Sequence, residues 1–385
     1  MGKLSLVLAD VDTEYLSKLE KYLIVNYPQR FEIISFASRE KLDLFLAGTD
    51  KVDLLLISSD MFIIGPMTAG TAKTIILDGG GASPVPAGYD TIEKYQHAGR
   101  LVAELLRLYT ARGIKDHTMP GKYRTSIISV CSPAGGAGKS SIAAGCSILY
   151  ESRGSRAFYL NLEAIPSTEM FFHSEAGSGQ SFSNAIYHLK GKNSNTGLKL
   201  EGASSMDART GVHYFRPPEN LLEFNELAGQ DITLLLDTFR KSAVYDMVFI
   251  DTASGFSPVN TEVIMQSDGI LLILEPGQGT SVKYKEFMNT LGYIKGRHGD
   301  GPAGTIIPVL NRLGGTDPDA VMPGLFTECR PVAVVKECPI PTSGDFPSVL
   351  TENVSFLSDI SSLCGYITPV RAAAASAGGG ESIAS

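Results

Sequence analysis

The chain has 385 residues, 43 % hydrophobic and 19 % charged, which supplies enough apolar material for two or more packed domains and excludes wholesale disorder. Its formal net charge of −8 gives it no global attraction for nucleic acid or anionic lipid. The five cysteines (Cys131, Cys146, Cys329, Cys338 and Cys364) are scattered and never spaced C-x-x-C, a usage that fits a reducing cytosol and offers no metal or disulfide framework. The N-terminus has no charged segment followed by a long apolar run, so no signal peptide is expected. No window approaches the roughly 18 consecutive apolar residues of a membrane span.

Residues 1–110 alternate apolar strands with helical spacing. Strands are predicted at 4–9 (L-S-L-V-L-A), 31–36, 52–57 and 74–78. Tyr15, Leu16, Leu19, Tyr22 and Leu23 mark a first helix capped by Asp12 or Thr13; helices also follow at 39–46 and 92–109. Such βα alternation predicts a parallel, doubly wound sheet. A polar Pro/Gly-bearing break follows, and the division is a first domain over 1–115, a linker over 116–125, a second domain over 126–370 and a disordered low-complexity tail over 371–385. In the second domain, strands are predicted at 126–132, 156–163, 245–252, 269–276 and 305–312. The Gly-, Ser- and Asn-rich stretch 174–212 reads as surface insertions.

The stretch 131–141, C-S-P-A-G-G-A-G-K-S-S, follows an apolar strand and precedes a helix of small residues. Backbone N–H groups around glycines at a helix N-terminus cradle phosphate oxygens. The expected ATP contacts are Gly135, Gly136, Ala137, Gly138, Lys139, Ser140 and Ser141, with Lys139 reaching the β- and γ-phosphates and the Ser140 hydroxyl holding Mg2+. The bland alternative is a glycine-rich turn that binds nothing. The first glycine of G-x-x-x-x-G-K-[ST] is absent, since Pro133 stands there.

A second loop form, K-G-G-x-G-K-[ST], fits A-G-G-A-G-K-S at 134–140 except at its first position. On this motif the chain resembles the ParA/MinD-type ATPases, and among them the CpaE/TadZ-type proteins that place or assemble Tad-type pili. The resemblance implies an ATP-sandwiched homodimer in which the family's first lysine reaches the partner's phosphates. Ala134 has no charge to offer, so slow or absent hydrolysis with retained binding is expected, the alternative being that another basic side chain substitutes.

V-F-I-D-T-A-S-G at 248–255 resembles the family's acidic strand end, which implies that Asp251 holds Mg2+. L-N-L-E at 160–163 has Asn161 in place of the family's first acid and Glu163 at the second, the candidate for orienting an attacking water. Asn311, in V-L-N-R, takes the place of the family's adenine contact, and E-C-P-I-P-T at 337–342 that of its proline-rich loop. V-L-A-D-V-D at 7–12 and V-D-L-L-L-I-S-S-D at 52–60 resemble the first and third strands of a receiver. With Asp53 aligned, Ser58 occupies the phosphoacceptor place, and Lys94 matches the receiver's lysine. Serine cannot form an acyl phosphate, so a pseudo-receiver for docking or dimerisation is expected; Asp60 is the competing acceptor.

The fold class expected is therefore α/β, a flavodoxin-like receiver sheet followed by a larger P-loop NTPase sheet of the ParA/MinD type. The resemblance further implies pilus or secretion-apparatus partners at the inner face of the membrane and a cytoplasmic protein recruited to a cell pole. No nucleic acid is expected to bind, and no integral membrane segment. The rival, a hydrolysing partition or division-site ATPase, would call for a lysine at 134 and a basic or amphipathic C-terminal device, and residues 350–364 contain neither Lys nor Arg.

Overall fold

The computed structural model describes residues 3–27, 30–48, 52–63, 71–80, 88–96, 98–110, 125–173, 181–191, 196–242, 244–277, 279–298, 304–313, 333–336 and 350–377. The chain forms two compact units, 1–121 with 191–205, and 122–190 with 206–385.

In the smaller unit, β1 (Leu4–Ala9), β2 (Phe31–Phe36), β3 (Val52–Ser58), β4 (Thr71–Asp78) and β5 (Asp90–Glu93) form a parallel sheet in the order β2-β1-β3-β4-β5, the flavodoxin-like order. Strand alternation sends Leu4, Leu6 and Leu8 to one face. There they pack with Leu54, Leu56, Leu16, Leu19 and Leu23 of α1 (Thr13–Asn26), and Leu101, Leu105 and Tyr109 of α3 (Ala98–Thr110). Val7, Ala9, Leu55 and Ile57 face the other way, against Leu42 of α2 (Arg39–Gly48). Asp12 caps α1 by accepting the Tyr15 N–H at 3.0 Å.

Two expectations for this unit are corrected. The helix predicted over 92–109 starts only at Ala98; the segment before it is β5, whose Ile92 is buried and pairs beside Leu77. The stretch 174–212 is more than surface insertion. It contains α5 (Phe182–Lys190) and α6 (Thr196–Ala203), and α6 belongs to the smaller unit, with Leu198 in its core. The Arg30 guanidinium there pairs with Glu201 at 2.6 Å, both side chains at 5 % exposure or less. Gly and Ser masked a short helix whose sequence is otherwise T-G-L-K-L-E-G-A.

The larger unit holds β6 (Ser126–Cys131), β7 (Ala157–Asn161), β8 (Ser205–Met206), β9 (His213–Tyr214), β10 (Met247–Asp251), β11 (Gly269–Leu274), β12 (Thr305–Leu313) and β13 (Ala333–Lys336), in the order β13-β12-β11-β6-β10-β7-β9-β8. All the pairings from β13 to β9 are parallel. On one face, α4 (Lys139–Ser152) is sandwiched between the sheet and α10 (Val354–Ala377), with Ile142, Ala143 and Cys146 meeting Phe356, Ile360 and Leu363 in one core. The other face is covered by Ile264 of α8 (Pro258–Gln266) and by Tyr284, Phe287 and Leu291 of α9 (Thr280–His298), while Phe239 of α7 (Gly229–Ser242) packs on Phe158 of β7. Residues 371–377, expected to be disordered, continue α10: the Ala-rich segment has the highest intrinsic helix preference. The linker up to residue 124 and the proline-rich loop at 337–342 lie outside the described residues.

Candidate nucleotide-binding site

Register places the site. Asp251, the last residue of β10, pairs with Val130 on one side and Asn161 on the other, so the end of β10 lies directly beside the start of the 132–138 loop. Ligands of open α/β sheets bind at these carboxyl ends.

The loop turns through Gly136 (φ 76°) and Gly138 (φ 87°), left-handed conformations that L side chains rarely adopt. Gly138 has a second reason to be glycine, because a Cβ there would collide with the Asn311 amide nitrogen. Gly138 is also the N-cap of α4 and provides no side-chain cap, which leaves the first N–H groups of a 14-residue helix without a side-chain acceptor. That arrangement, with its partial positive charge, suits an anion.

Lys139 is buried, its ammonium 3.3 Å from the Ser254 hydroxyl and 3.7 Å from Glu163 Oε1. Asp251 is fully buried, and Tyr159 donates its hydroxyl to Oδ2 at 2.9 Å. Burial, with the Glu163 charge added, pushes the Asp251 carboxyl up to about 7, while Ser140, Tyr159 and Lys139 pull it down. Its Oδ1 makes no hydrogen bond of ordinary geometry among the described residues. A buried carboxylate with one oxygen lacking an ordinary hydrogen bond, beside the Ser140 hydroxyl at a helix N-terminus, fits a hard cation with oxygen ligands. No three His, Cys, Asp or Glu side chains cluster among the described residues, so a cation here would rest on Asp251, Ser140 and the nucleotide's own oxygens. Bound there, Mg2+ would neutralise phosphate charge.

Glu163 is fixed at its backbone, where its N–H donates to Asn161 Oδ1 at 2.8 Å, and Asn161 Nδ2 reaches the Tyr159 hydroxyl at 3.2 Å. Asn311 donates from Nδ2 to the Ala137 carbonyl at 2.7 Å, which ties β12 to the loop. Ser254 is held by Asn260, whose Nδ2 donates to the Ala253 and Gly255 carbonyls at 2.9 Å each. A cavity of about 270 Å3 opens beside the loop, lined by Pro133, Ala134, Gly135, Glu275, Thr280 and Lys283 among others.

Thus Lys139, Ser140, Glu163 and Asp251 converge, with Asn311 behind the loop. Tyr159, Ser254 and Arg312 were not anticipated. Tyr159 and Ser254 carry no motif. Arg312 is the last letter of V-L-N-R, and only its contacts single it out.

The smaller unit has its own polar cluster. Lys94, 4 % exposed, lies 2.8 Å from Asp10 and 3.9 Å from Asp12, with its ammonium over the Tyr15 ring. Ser58 is buried, its hydroxyl without a hydrogen-bond partner among the described residues. Asp53 lies apart from this cluster in role, accepting the Ser5 N–H at 3.0 Å.

No protein-family model matches the chain, and no curated protein matches it. Solved structures similar to it include the ParA family ATPase of Chlorobium tepidum (12 % identity, TM-score 0.49, 62 % of this chain and 97 % of that one). The MinD cell division protein of Aquifex aeolicus is similar at 15 % identity and TM-score 0.49, over 64 % and 97 %. The septum site-determining protein MinD of Pyrococcus horikoshii, complexed with Mg-ADP, gives 16 %, 0.45, 63 % and 96 %. These similar structures are ParA/MinD ATPases. At such identities and TM-scores the likeness decides nothing about activity, which has to come from the site itself. No helix among the described residues is long and apolar enough to cross a membrane.

Proposed function

We propose that this chain is an ATP-binding, nucleotide-gated homodimer that positions or helps assemble a Tad-type pilus secretion apparatus, with weak or no hydrolysis of its own. The observation that carries the nucleotide site is the meeting of Lys139, Ser140 and Asp251 around the uncapped start of α4. Phosphates held by the loop and Lys139, with Mg2+ on Asp251 and Ser140, are the ligands this chemistry suits.

Weak hydrolysis follows from Ala134, which offers no charge to the phosphate oxygens. The switch is then differential affinity: ATP favours the dimer because its γ-phosphate makes contacts that ADP cannot. The pilus role and recruitment to a pole rest on the order of motifs along the chain. In the smaller unit the Lys94 ammonium lies against Asp10 and Asp12, and Ser58 stands where the sequence alignment puts the phosphoacceptor, which supports docking without phosphotransfer.

Light scattering without nucleotide, with ADP and with ATP plus Mg2+, combined with a phosphate-release assay, tests this proposal. An ATP-dependent dimer with negligible turnover supports it. Brisk, Lys139-dependent turnover would favour the second reading, a hydrolysing partition or division-site ATPase. The observation on that side is Glu163, whose carboxylate lies 3.7 Å from the Lys139 ammonium.

A further inference from the structure

The Asn161 side chain makes three contacts beside Asp251, and together they settle which way its amide points. Its Oδ1 accepts the Glu163 backbone N–H at 2.8 Å, a group that can only donate. Its Nδ2 therefore faces the other way, 3.2 Å from the Tyr159 hydroxyl and 3.4 Å from Asp251 Oδ2. Tyr159 donates its own proton to the same Oδ2 at 2.9 Å. Asn161 is 8 % exposed and both Tyr159 and Asp251 are fully buried, so Oδ2 depends on donors from the protein.

The charges that meet here can be counted. The Lys139 ammonium lies 3.7 Å from Glu163, and the Glu163 charge acts in turn on Asp251. One ammonium and two carboxylates, all ionised, sum to −1. Arg312, set at a bulge between β12 and β13, donates to the Gly136 carbonyl at 2.8 Å and to Glu275 at 2.9 Å. It is thereby held on the carbonyl side of the loop and stays outside this sum.

Asn161 adds no charge. An aspartate in its place would keep the bond to the Glu163 N–H, because a carboxylate oxygen accepts it equally well. Its second oxygen would then stand where Nδ2 now lies, against Asp251 Oδ2. That would make three carboxylates in one cluster, and no such group of three acids exists among the described residues. Two carboxylates, one of them paired with Lys139, are a poor cage for a divalent cation that takes about six oxygen ligands. The remaining oxygens have to arrive with the ligand, and a nucleotide phosphate carries them.

We propose that Asn161 is a positioning residue that sets cation specificity: by holding a neutral donor on Asp251, it makes the site accept Mg2+ only together with a nucleotide and reject the free ion. This rests on the nucleotide-binding reading above. Asn161 acts through Asp251 and Glu163, the two acids that its amide links.

The test is Mn2+ titration of the nucleotide-free full chain, followed by loss of the free-ion EPR signal, with melting temperatures taken with and without Mg2+. The wild type should bind free Mn2+ at about millimolar strength or weaker, and Mg2+ alone should not raise its melting temperature. Asn161→Asp should bind Mn2+ at least about tenfold more tightly and gain a Mg2+-dependent rise in melting temperature. Asn161→Ala loses the same contacts without adding charge and should gain neither, a contrast that a merely structural role would not produce. Adding Asp251→Asn to Asn161→Asp returns the carboxylates to two and should abolish the gain. Equal responses of Asn161→Ala and Asn161→Asp would overturn the proposal. So would wild-type binding of Mn2+ at micromolar strength without nucleotide, a result that decides the matter even where Asn161→Asp fails to fold. Calorimetry of the wild type with ATP plus Mg2+ separates the two levels. If no nucleotide binds, the nucleotide reading falls and this inference with it; if it binds while Asn161→Asp takes Mn2+ no better than the wild type, only this inference falls.

Discussion

Tyr159 and Asp251 sit on neighbouring strands, and the tyrosine hydroxyl donates to the carboxylate at 2.9 Å in a fully buried setting. The bond fixes Oδ2, while Oδ1 makes no ordinary hydrogen bond among the described residues, so an aromatic residue of the core orients the acid of the site. Tyr159→Phe removes a charge-assisted donor and leaves Asn161, at 3.4 Å, as the remaining contact to Oδ2. Unfolding in urea at neutral pH should show a loss of about 1–3 kcal/mol, with the expected cause being the buried carboxylate rather than lost packing.

Glycines of the loop should differ sharply in tolerance. Gly138→Ala combines a left-handed φ with a collision against the Asn311 amide, and should cost about 2 kcal/mol or more and displace the Asn311–Ala137 bond. Gly135→Ala meets nothing within 4 Å and should stay within about 0.5 kcal/mol of the wild type. Thermal melting of the two variants measures the contrast.

Much of this was legible in the chain. The loop, Lys139, Ser140 and Asp251 form a motif whose spacing is dictated by phosphate geometry, and the strands are apolar runs bounded by turns. Tyr159 was hidden because a tyrosine in a strand of A-F-Y-L-N reads as core, which it also is. Arg312 was hidden because a bulge, which local pattern does not reveal, decides where its side chain goes. β5 was absorbed into a helix because Ile92 continues the apolar spacing of the residues after Ala98, and pairing with β4 overrode that pattern. The placement of α6 in the smaller unit depends on Leu198 and Glu201 meeting residues far away in sequence.

Glu151 should shape the pH dependence of stability. Burial pushes its carboxyl up to about 7 from an ordinary 4.5, with the Ala157 N–H and Arg156 pulling back. The folded form therefore binds the proton more tightly than the unfolded one. Its contribution is fully present below about 4.5 and is lost as pH rises through about 7. At about 1.4 kcal/mol per pH unit, the span caps the effect at about 3 kcal/mol. Glu151→Gln should flatten this part of the profile, making the variant relatively more stable at pH 8 than at pH 5 in parallel denaturation curves.

The Arg30–Glu201 pair ties α6 into the smaller unit. Arg30→Met leaves a buried carboxylate without its guanidinium and should destabilise by about 3–5 kcal/mol, whereas Arg30→Met with Glu201→Leu should recover most of the loss. A double-mutant cycle by chemical denaturation gives the coupling.

The central claim is that the start of α4 is a nucleotide site built on Lys139 and completed by Asp251. Calorimetric titration of the full chain with ATP, with and without Mg2+, tests it most directly when Lys139→Ala and Asp251→Asn are run beside the wild type. Saturable binding that is lost in Lys139→Ala, and that loses its Mg2+ dependence in Asp251→Asn, is the expected result. Binding unaffected by Lys139→Ala, or no binding by the wild type, would contradict the account.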